Sequence, residues 1–212
     1  VYGWTINMDF NQGQVGQTIY DSGNGYPVFS DAAGNTLYDA CTGIAIDSQC
    51  AKLSIDKGHD GWGVWGGRIH FSDLGLPAPA RGTEIWYSIK IYFPVGFDYS
   101  ASPHLKFMRL HTTSAATQNE GYNDLYITPD GPTHWDATQQ KNVDNPFFFV
   151  KEGQNRQKLF GDYTVDKPRL GTWETYEVYL KLDNVSVANG GTSRVRVWKN
   201  GCLLYTSPSP RD

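Results

Sequence analysis

The stretch EIWYSIKIYF, Glu84–Phe93, decides the fold class, because its side chains alternate strictly between two kinds of position. One face would hold Ile85, Tyr87, Ile89, Ile91 and Phe93, and the other Trp86, Ser88, Lys90 and Tyr92. A period of two is that of a β-strand with one buried face. Pro94 and Gly96 follow and predict its end.

Seven further segments have strand-like patterns, and clusters of Gly, Pro, Asn and Asp separate them. They are Ala51–Ile55, Arg68–Phe71, Leu105–Thr112, Tyr122–Ile127, Pro146–Lys151, Glu174–Leu182 and Ser193–Lys199. No segment predicts a long amphipathic helix. Many short antiparallel strands at this spacing are typical of an all-β sandwich or jelly roll. Since no linker or repeat divides the chain, residues 1–201 are predicted to form one domain.

Composition excludes several classes of protein. The 212 residues include 7 Trp, 13 Tyr and 10 Phe, more aromatic side chains than a disordered chain would have. No apolar run approaches the roughly 20 residues that a membrane-spanning helix needs. The net charge of −4 gives no general attraction to nucleic acid or to anionic membranes. We therefore expect neither nucleic acid nor a membrane as a partner.

The last residues, Cys202–Asp212 (CLLYTSPSPRD), have no relation in pattern to the strand before them. They resemble the translation of a transposase-type sequencing adapter in one reading frame; the alternative is a genuine Ser/Pro-rich tail. The first interpretation excludes them from fold reasoning and predicts that the natural chain continues beyond Gly201 with other residues. It also leaves two cysteines, Cys41 and Cys50, which either close a short loop by a disulfide or are unrelated thiols.

Three predicted strands combine aromatic and charged side chains on the face opposite to their apolar one. These side chains are Tyr122, Asp124 and Tyr126, then Glu177, Tyr179 and Lys181, then Arg194, Arg196 and Trp198. Aromatic rings can stack on sugar rings while neighbouring polar groups bind the hydroxyls. The alternative is an ordinary sheet surface rich in strand-forming residues. Recurrence in three strands favours a groove that binds carbohydrate.

The motifs follow one another in a recognisable order after Asp9-Phe10 and Gly13. They are GWGVWGGRIHF (Gly61–Phe71), EIWYSIKIYFPVGFDYS (Glu84–Ser100), HLKFMRLHT (His104–Thr112), GYNDLYI (Gly121–Ile127), GTWETYEVYLKLDN (Gly171–Asn184) and RVRVWKNG (Arg194–Gly201). This series resembles jelly-roll polysaccharide lyases of the alginate and glucuronan type and their uncharacterised relatives. The resemblance implies a concanavalin A-like β-jelly roll of two antiparallel sheets. It also implies a catalytic role for Lys106, since those lyases have a Lys-bearing strand after the YFP element.

Cleavage of a uronate by β-elimination needs a group that neutralises the C6 carboxylate, a base for the C5 proton and an acid for the departing O4. Arg109 or Lys106 suits the carboxylate, His111 the base and Tyr126 the acid. Arg109 and His111 share a face of one predicted strand. Lys106 has the opposite parity, so a β-bulge is needed for all three to converge.

Other residues are predicted to bind the substrate. They are Arg68 and His70 on the GGRIHF strand, Trp65 in the loop before it, and Tyr122, Asp124, Tyr179 and Lys181 on the mixed faces. No HExxH or CxxC spacing occurs, which argues against zinc. We expect no cofactor, although a structural calcium ion is compatible with the fold class.

The sequence thus leaves two main functions open. One is a secreted lyase, extracellular or periplasmic and monomeric, that cleaves an acidic polysaccharide. The other is a non-catalytic carbohydrate-binding jelly-roll module. A retaining glycosidase would need two carboxylates close together on one strand, a pattern that Glu174 and Asp183 do not supply.

Overall fold

The computed structural model describes residues 5–19, 29–30, 36–41, 49–54, 68–69, 80–97, 105–113, 120–127, 134–136, 141–143, 168–183, 185 and 189–207. These residues form β-strands joined by turns, and no α-helix occurs among them. Every strand pair is antiparallel, so the prediction of an all-β protein is confirmed. Within the described ranges no helix is long and apolar enough to cross a membrane.

Twelve strands are described. They are β1 (Phe29–Ser30), β2 (Thr36–Ala40), β3 (Gln49–Leu53), β4 (Arg68–Ile69), β5 (Glu84–Tyr92), β6 (Leu105–Thr113), β7 (Glu120–Ile127), β8 (His134–Asp136), β9 (Lys141–Val143), β10 (Trp173–Lys181), β11 (Arg194–Lys199) and β12 (Cys202–Ser207). β5, β10, β11 and β12 form a sheet in the order β12-β11-β10-β5. The others form the pairs β1-β4, β2-β3, β6-β7 and β8-β9. The predicted strand Pro146–Lys151 lies outside the described residues.

The chain divides into two compact units, Val1–Ala78 and Pro79–Asp212. In the first unit Ile19 and Tyr38 are fully buried, and Met8, Phe10 and Ala51 pack against them. A Cβ atom on Gly13 would overlap the ring of Tyr38, so only glycine allows this approach. The single domain predicted for residues 1–201 stays a prediction.

A disulfide joins Cys41, just after β2, to Cys50 in β3. The register of the two strands places Asp39 opposite Cys50, and the two cysteine Cα atoms lie 5.5 Å apart. That separation is ordinary for a disulfide. Of the two alternatives that the sequence left open, the structure has the disulfide. Cys202 is a free, exposed thiol.

In the second unit the four-stranded sheet has one buried face, which holds Ile85, Tyr176, Val178, Leu180 and Val197. The register aligns these side chains in rows across the strands, since Val178 lies opposite both Tyr87 and Val197. In β5 the exposed and less exposed positions alternate along the whole strand. The two faces predicted from EIWYSIKIYF are therefore confirmed.

A buried carboxylate lies within this apolar face. Glu174 is 2% exposed, and its oxygens accept hydrogen bonds from the Tyr176 hydroxyl at 2.8 Å and from the Arg169 backbone N–H and Nε at 3.1 and 3.0 Å. The Lys199 ammonium lies 3.1 Å from the same carboxylate and is itself nearly buried. Burial raises the pKa of Glu174, but these hydrogen bonds outweigh it and hold the pKa below its ordinary value.

The turn between β11 and β12 is made by Asn200 and Gly201, with φ angles of 49° and 78°. Lys199 pairs with Cys202 across it. Two central residues with positive φ and an Asn-Gly sequence are typical of a type I′ hairpin, whose twist matches that of the strands. The turn directs Cys202–Ser207 back along β11, so these residues form a strand although the sequence pattern predicted none. The adapter origin expected for this segment stays a prediction.

Candidate functional site

Strands β6 and β7 hold all four residues predicted to be catalytic, and the two strands pair with each other. Their register places His111 opposite Tyr122, Arg109 opposite Asp124 and Lys106 opposite Tyr126. Directly opposed residues of an antiparallel pair occupy the same face of the sheet. The sequence-based hypothesis required this pairing.

The register shifts between Lys106 and Met108, which pair with the consecutive residues Tyr126 and Leu125. Phe107 is therefore the extra residue of a β-bulge. The bulge reverses the parity of the strand, so that Lys106 occupies the same face of the register as Arg109 and His111. The sequence pattern required a β-bulge for Lys106 to converge with Arg109 and His111. The bulge lies between Lys106 and Met108, in the segment that separates these residues.

The predicted residues of the first unit are described only in part. Arg68 is the first residue of β4 and pairs with Ser30 of β1. His70 and Trp65 lie outside the described residues, so their binding roles remain predictions.

The second predicted set lies on the four-stranded sheet, on the face opposite to its core. We call this surface the aromatic face and define it by Trp86, Tyr92, Trp173, Tyr179 and Trp198. Trp86 is 62% exposed and its ring is stacked with that of Trp198, with centroids 5.4 Å apart and planes 22° apart. Tyr92 and Trp173 form a second ring pair with centroids 5.4 Å apart. The face predicted from the alternation in β10 and β11 is present.

Tyr179 lies on the predicted face but is not freely accessible, because it is only 8% exposed. The ring of Trp86 lies 4.7 Å from its ring, and the Arg196 guanidinium lies 5.9 Å from it. Burial raises the pKa of Tyr179 most, and the negative charge of Glu84 and a hydrogen bond to its carboxylate raise it further, which keeps the phenol neutral. Tyr179 therefore lies beneath Trp86 and Arg196, which are the more exposed side chains of the three.

Charged side chains surround the rings of the aromatic face. Lys181 lies opposite both Glu84 and Arg194, and Glu177 lies opposite Trp198. On the described part of this face, four cations (Lys90, Lys181, Arg194 and Arg196) outnumber two carboxylates (Glu84 and Glu177). The excess is positive although the whole chain has a net charge of −4.

Asp183 fixes the connection between β10 and β11 at one end of the aromatic face. Its carboxylate accepts hydrogen bonds from the Thr192 backbone N–H at 2.8 Å and from the Val185 N–H at 3.1 Å. The Arg81 Nε lies 2.7 Å from Oδ1, the same oxygen that accepts from the Val185 N–H. The hydrogen bond from the Thr192 N–H is the largest influence on the pKa of Asp183, which lies far below its ordinary value. This tether holds the ends of the strands that bear Lys181 and Arg194.

Sequence reasoning placed Trp86, Trp198 and Arg196 on exposed faces without selecting them as site residues. The alternation that could have identified them is present in the sequence, because each of the three alternates with buried residues of its own strand. What the sequence could not give is the register between β5, β10 and β11, which brings the three together. Among the residues that the structure describes, no group of three or more His, Cys, Asp and Glu side chains is arranged to hold a metal ion.

No protein-family model, no curated protein and no solved structure matches the chain.

Proposed function

We propose that the protein is a secreted polysaccharide lyase that cleaves an acidic, uronate-containing polysaccharide by β-elimination, on a concanavalin A-like jelly roll. The observation that supports this proposal is the register of β6 and β7. A cationic pair, a histidine and two tyrosines share one face of two neighbouring strands. These are the residue types that the reaction needs.

In the proposed reaction Arg109 binds the C6 carboxylate of the sugar, and Lys106 binds the same group or the carboxylate of the next sugar. Neutralising this carboxylate makes the C5 proton more acidic. His111 takes that proton, a tyrosine gives a proton to O4, and the bond between C4 and O4 breaks. The products are a new reducing end and a sugar with a C4–C5 double bond.

The register bears on the choice of tyrosine. Tyr126 is four residues from Tyr122, or about 13 Å along the strand at the usual rise, whereas Tyr122 is directly opposite His111. C5 and O4 belong to the same sugar, so its base and acid have to be close together. We therefore propose Tyr122 as the acid that acts with His111. Tyr126, the acid expected from the sequence, would instead contact the neighbouring sugar together with Lys106.

The test is the ultraviolet absorbance of unsaturated product on a panel of polyuronates, with neutral glycans as controls. We expect His111→Asn to lower kcat by about 10²-fold or more, and Tyr122→Phe to lower it more than Tyr126→Phe. His134→Asn, on β8, is the matched control. Full activity of His111→Asn would refute the assignment of the base, and a larger loss in Tyr126→Phe would restore the acid expected from the sequence.

A non-catalytic carbohydrate-binding module is the second candidate, and the exposed, stacked Trp86 favours it. The two functions differ in one measurement. Binding to a polyuronate with no unsaturated product on any member of the panel would support the binding module and refute the lyase.

A further inference from the structure

The aromatic face plays no part in the proposed elimination, and yet it is built like a binding surface. Its two ring pairs, Trp86 with Trp198 and Tyr92 with Trp173, lie at two places along β5. Trp86 and Tyr92 are six residues apart on β5, about 20 Å at the usual rise per residue. The distance suits an extended chain of several sugar units better than a single small molecule.

The chemistry between the two ring pairs favours a carbohydrate over a protein partner. The positions there are polar, with Ser88, Lys90, Thr175 and Glu177 in the register rows. A protein interface has an apolar core from which charged residues are depleted. Flat rings separated by hydrogen-bonding groups match the alternation of apolar ring faces and hydroxyls along a polysaccharide.

The charge of the face favours an acidic polysaccharide over a neutral one. Arg194 and Lys90 are exposed, and Arg196 is half-buried with its guanidinium 5.9 Å from the centre of the Tyr179 ring. Guanidinium groups bind carboxylates in a bidentate geometry. The cation excess on this face of an otherwise acidic chain is complementary to a polymer that bears a carboxylate on each sugar.

We propose that the aromatic face is a second binding site for an acidic polysaccharide, with Trp86 stacked on a sugar ring and Arg196 and Arg194 bound to carboxylates. The ligand class rests on the proposed function, whereas the site shares no residue with β6 and β7. Tyr179 positions Trp86 and Arg196 from below. The site would hold the polymer on the protein independently of cleavage.

The experiment measures binding to polyuronate and to a neutral glycan by affinity electrophoresis and calorimetry, in the full chain with His111→Asn to slow cleavage. We expect Trp86→Ala to weaken polyuronate binding roughly tenfold and Trp86→Phe, which keeps a ring, to weaken it within about threefold. The double variant Lys90→Gln/Arg194→Gln should weaken binding and reduce its salt dependence. Lys52→Gln, an exposed lysine of the first unit, is the matched charge control and should bind like its parent.

Circular dichroism of each variant confirms that the sheet is intact. Unchanged binding by a folded Trp86→Ala would overturn the proposal, as would equal affinity for the neutral glycan and the polyuronate. The same variants, made with His111 restored, are assayed for unsaturated product. Loss of binding in Trp86→Ala with no product from any variant would refute the lyase and leave the second site standing. Normal product formation together with unchanged binding in Trp86→Ala would refute the second site and leave the lyase standing.

Discussion

Replacing Glu174 by Gln should destabilise the four-stranded sheet strongly, because the substitution removes a charge that buried partners need. The carboxylate is 2% exposed and lies 3.1 Å from the Lys199 ammonium, whose side chain is 9% exposed. Gln keeps the shape of the side chain, but it presents a neutral amide to the cation. The variant therefore tests the charge and not the packing.

The size of the effect follows from the exposure of the partners. Breaking a buried ion pair by removing one partner costs about 3–5 kcal/mol. The Arg169 side chain is 64% exposed, so its ion pair adds little because solvent screens it. Gln can still accept the hydrogen bonds from Tyr176 and from the Arg169 backbone. We therefore expect Glu174→Gln to lower the free energy of unfolding by about 3 kcal/mol, the lower end of that range.

The assay is urea unfolding at neutral pH, followed by tryptophan fluorescence and by circular dichroism. Glu177→Gln is the matched control, since Glu177 is on the same strand but on the opposite, partly exposed face. Its effect should be within about 0.5 kcal/mol. An effect of Glu174→Gln no larger than that of Glu177→Gln would refute the argument from buried charge.

The pH dependence provides an independent check. The folded-state pKa of Glu174 lies below the ordinary 4.5, so its contribution to stability is fully present above that value. The contribution is lost as the pH falls through the lower, folded-state pKa. The difference in stability between wild type and Glu174→Gln should therefore shrink in acid, and a constant difference would contradict the linkage.

Three further predictions concern single contacts. Gly13→Ala should destabilise the first unit, because its Cβ would overlap the Tyr38 ring; its thermal unfolding midpoint should fall, and an unchanged midpoint would contradict the overlap. Asp183→Asn should speed amide exchange at Val185 and Thr192, whose N–H groups bind the carboxylate. In wild type the protection of these two amides should persist down to the ordinary Asp pKa of 3.8, because the folded-state pKa of Asp183 is lower still. Gly201→Ala should cost about 1 kcal/mol of unfolding free energy at a φ of 78°, and no loss in urea unfolding would exclude the type I′ turn.

Strands that alternate cleanly could be predicted from the sequence, and strands that do not alternate could not. β5 and β10 are each nine residues long with one apolar face, which makes a period of two visible. β2 was not predicted because its fully buried positions include the polar Thr36 as well as Tyr38. The apolar Leu37 is on the less buried side of the same strand. β12 was not predicted because its own sequence pattern does not determine it. The Asn200-Gly201 turn and the edge of β11 do.

The residues of the candidate site could be proposed from the sequence, but their arrangement across the strands could not. The alternation along β6 indicated that Lys106 needs a β-bulge to share a face with Arg109 and His111. Only the pairing with β7 locates this bulge at Phe107. Likewise the pattern of β10 predicts the face of Tyr179 and not its burial. The cover comes from Trp86 and Arg196 on other strands, and one sequence does not reveal which strands are neighbours.

The strand order β12-β11-β10-β5 also has a kinetic consequence. β10, β11 and β12 follow one another along the chain, so each pairing closes only a short loop. β5 pairs with β10 across the whole interval from Tyr92 to Trp173, and the entropy of closing that loop is lost before any contact compensates for it. We therefore expect the C-terminal meander to assemble first and β5 to join it afterwards, completing the apolar face with Ile85.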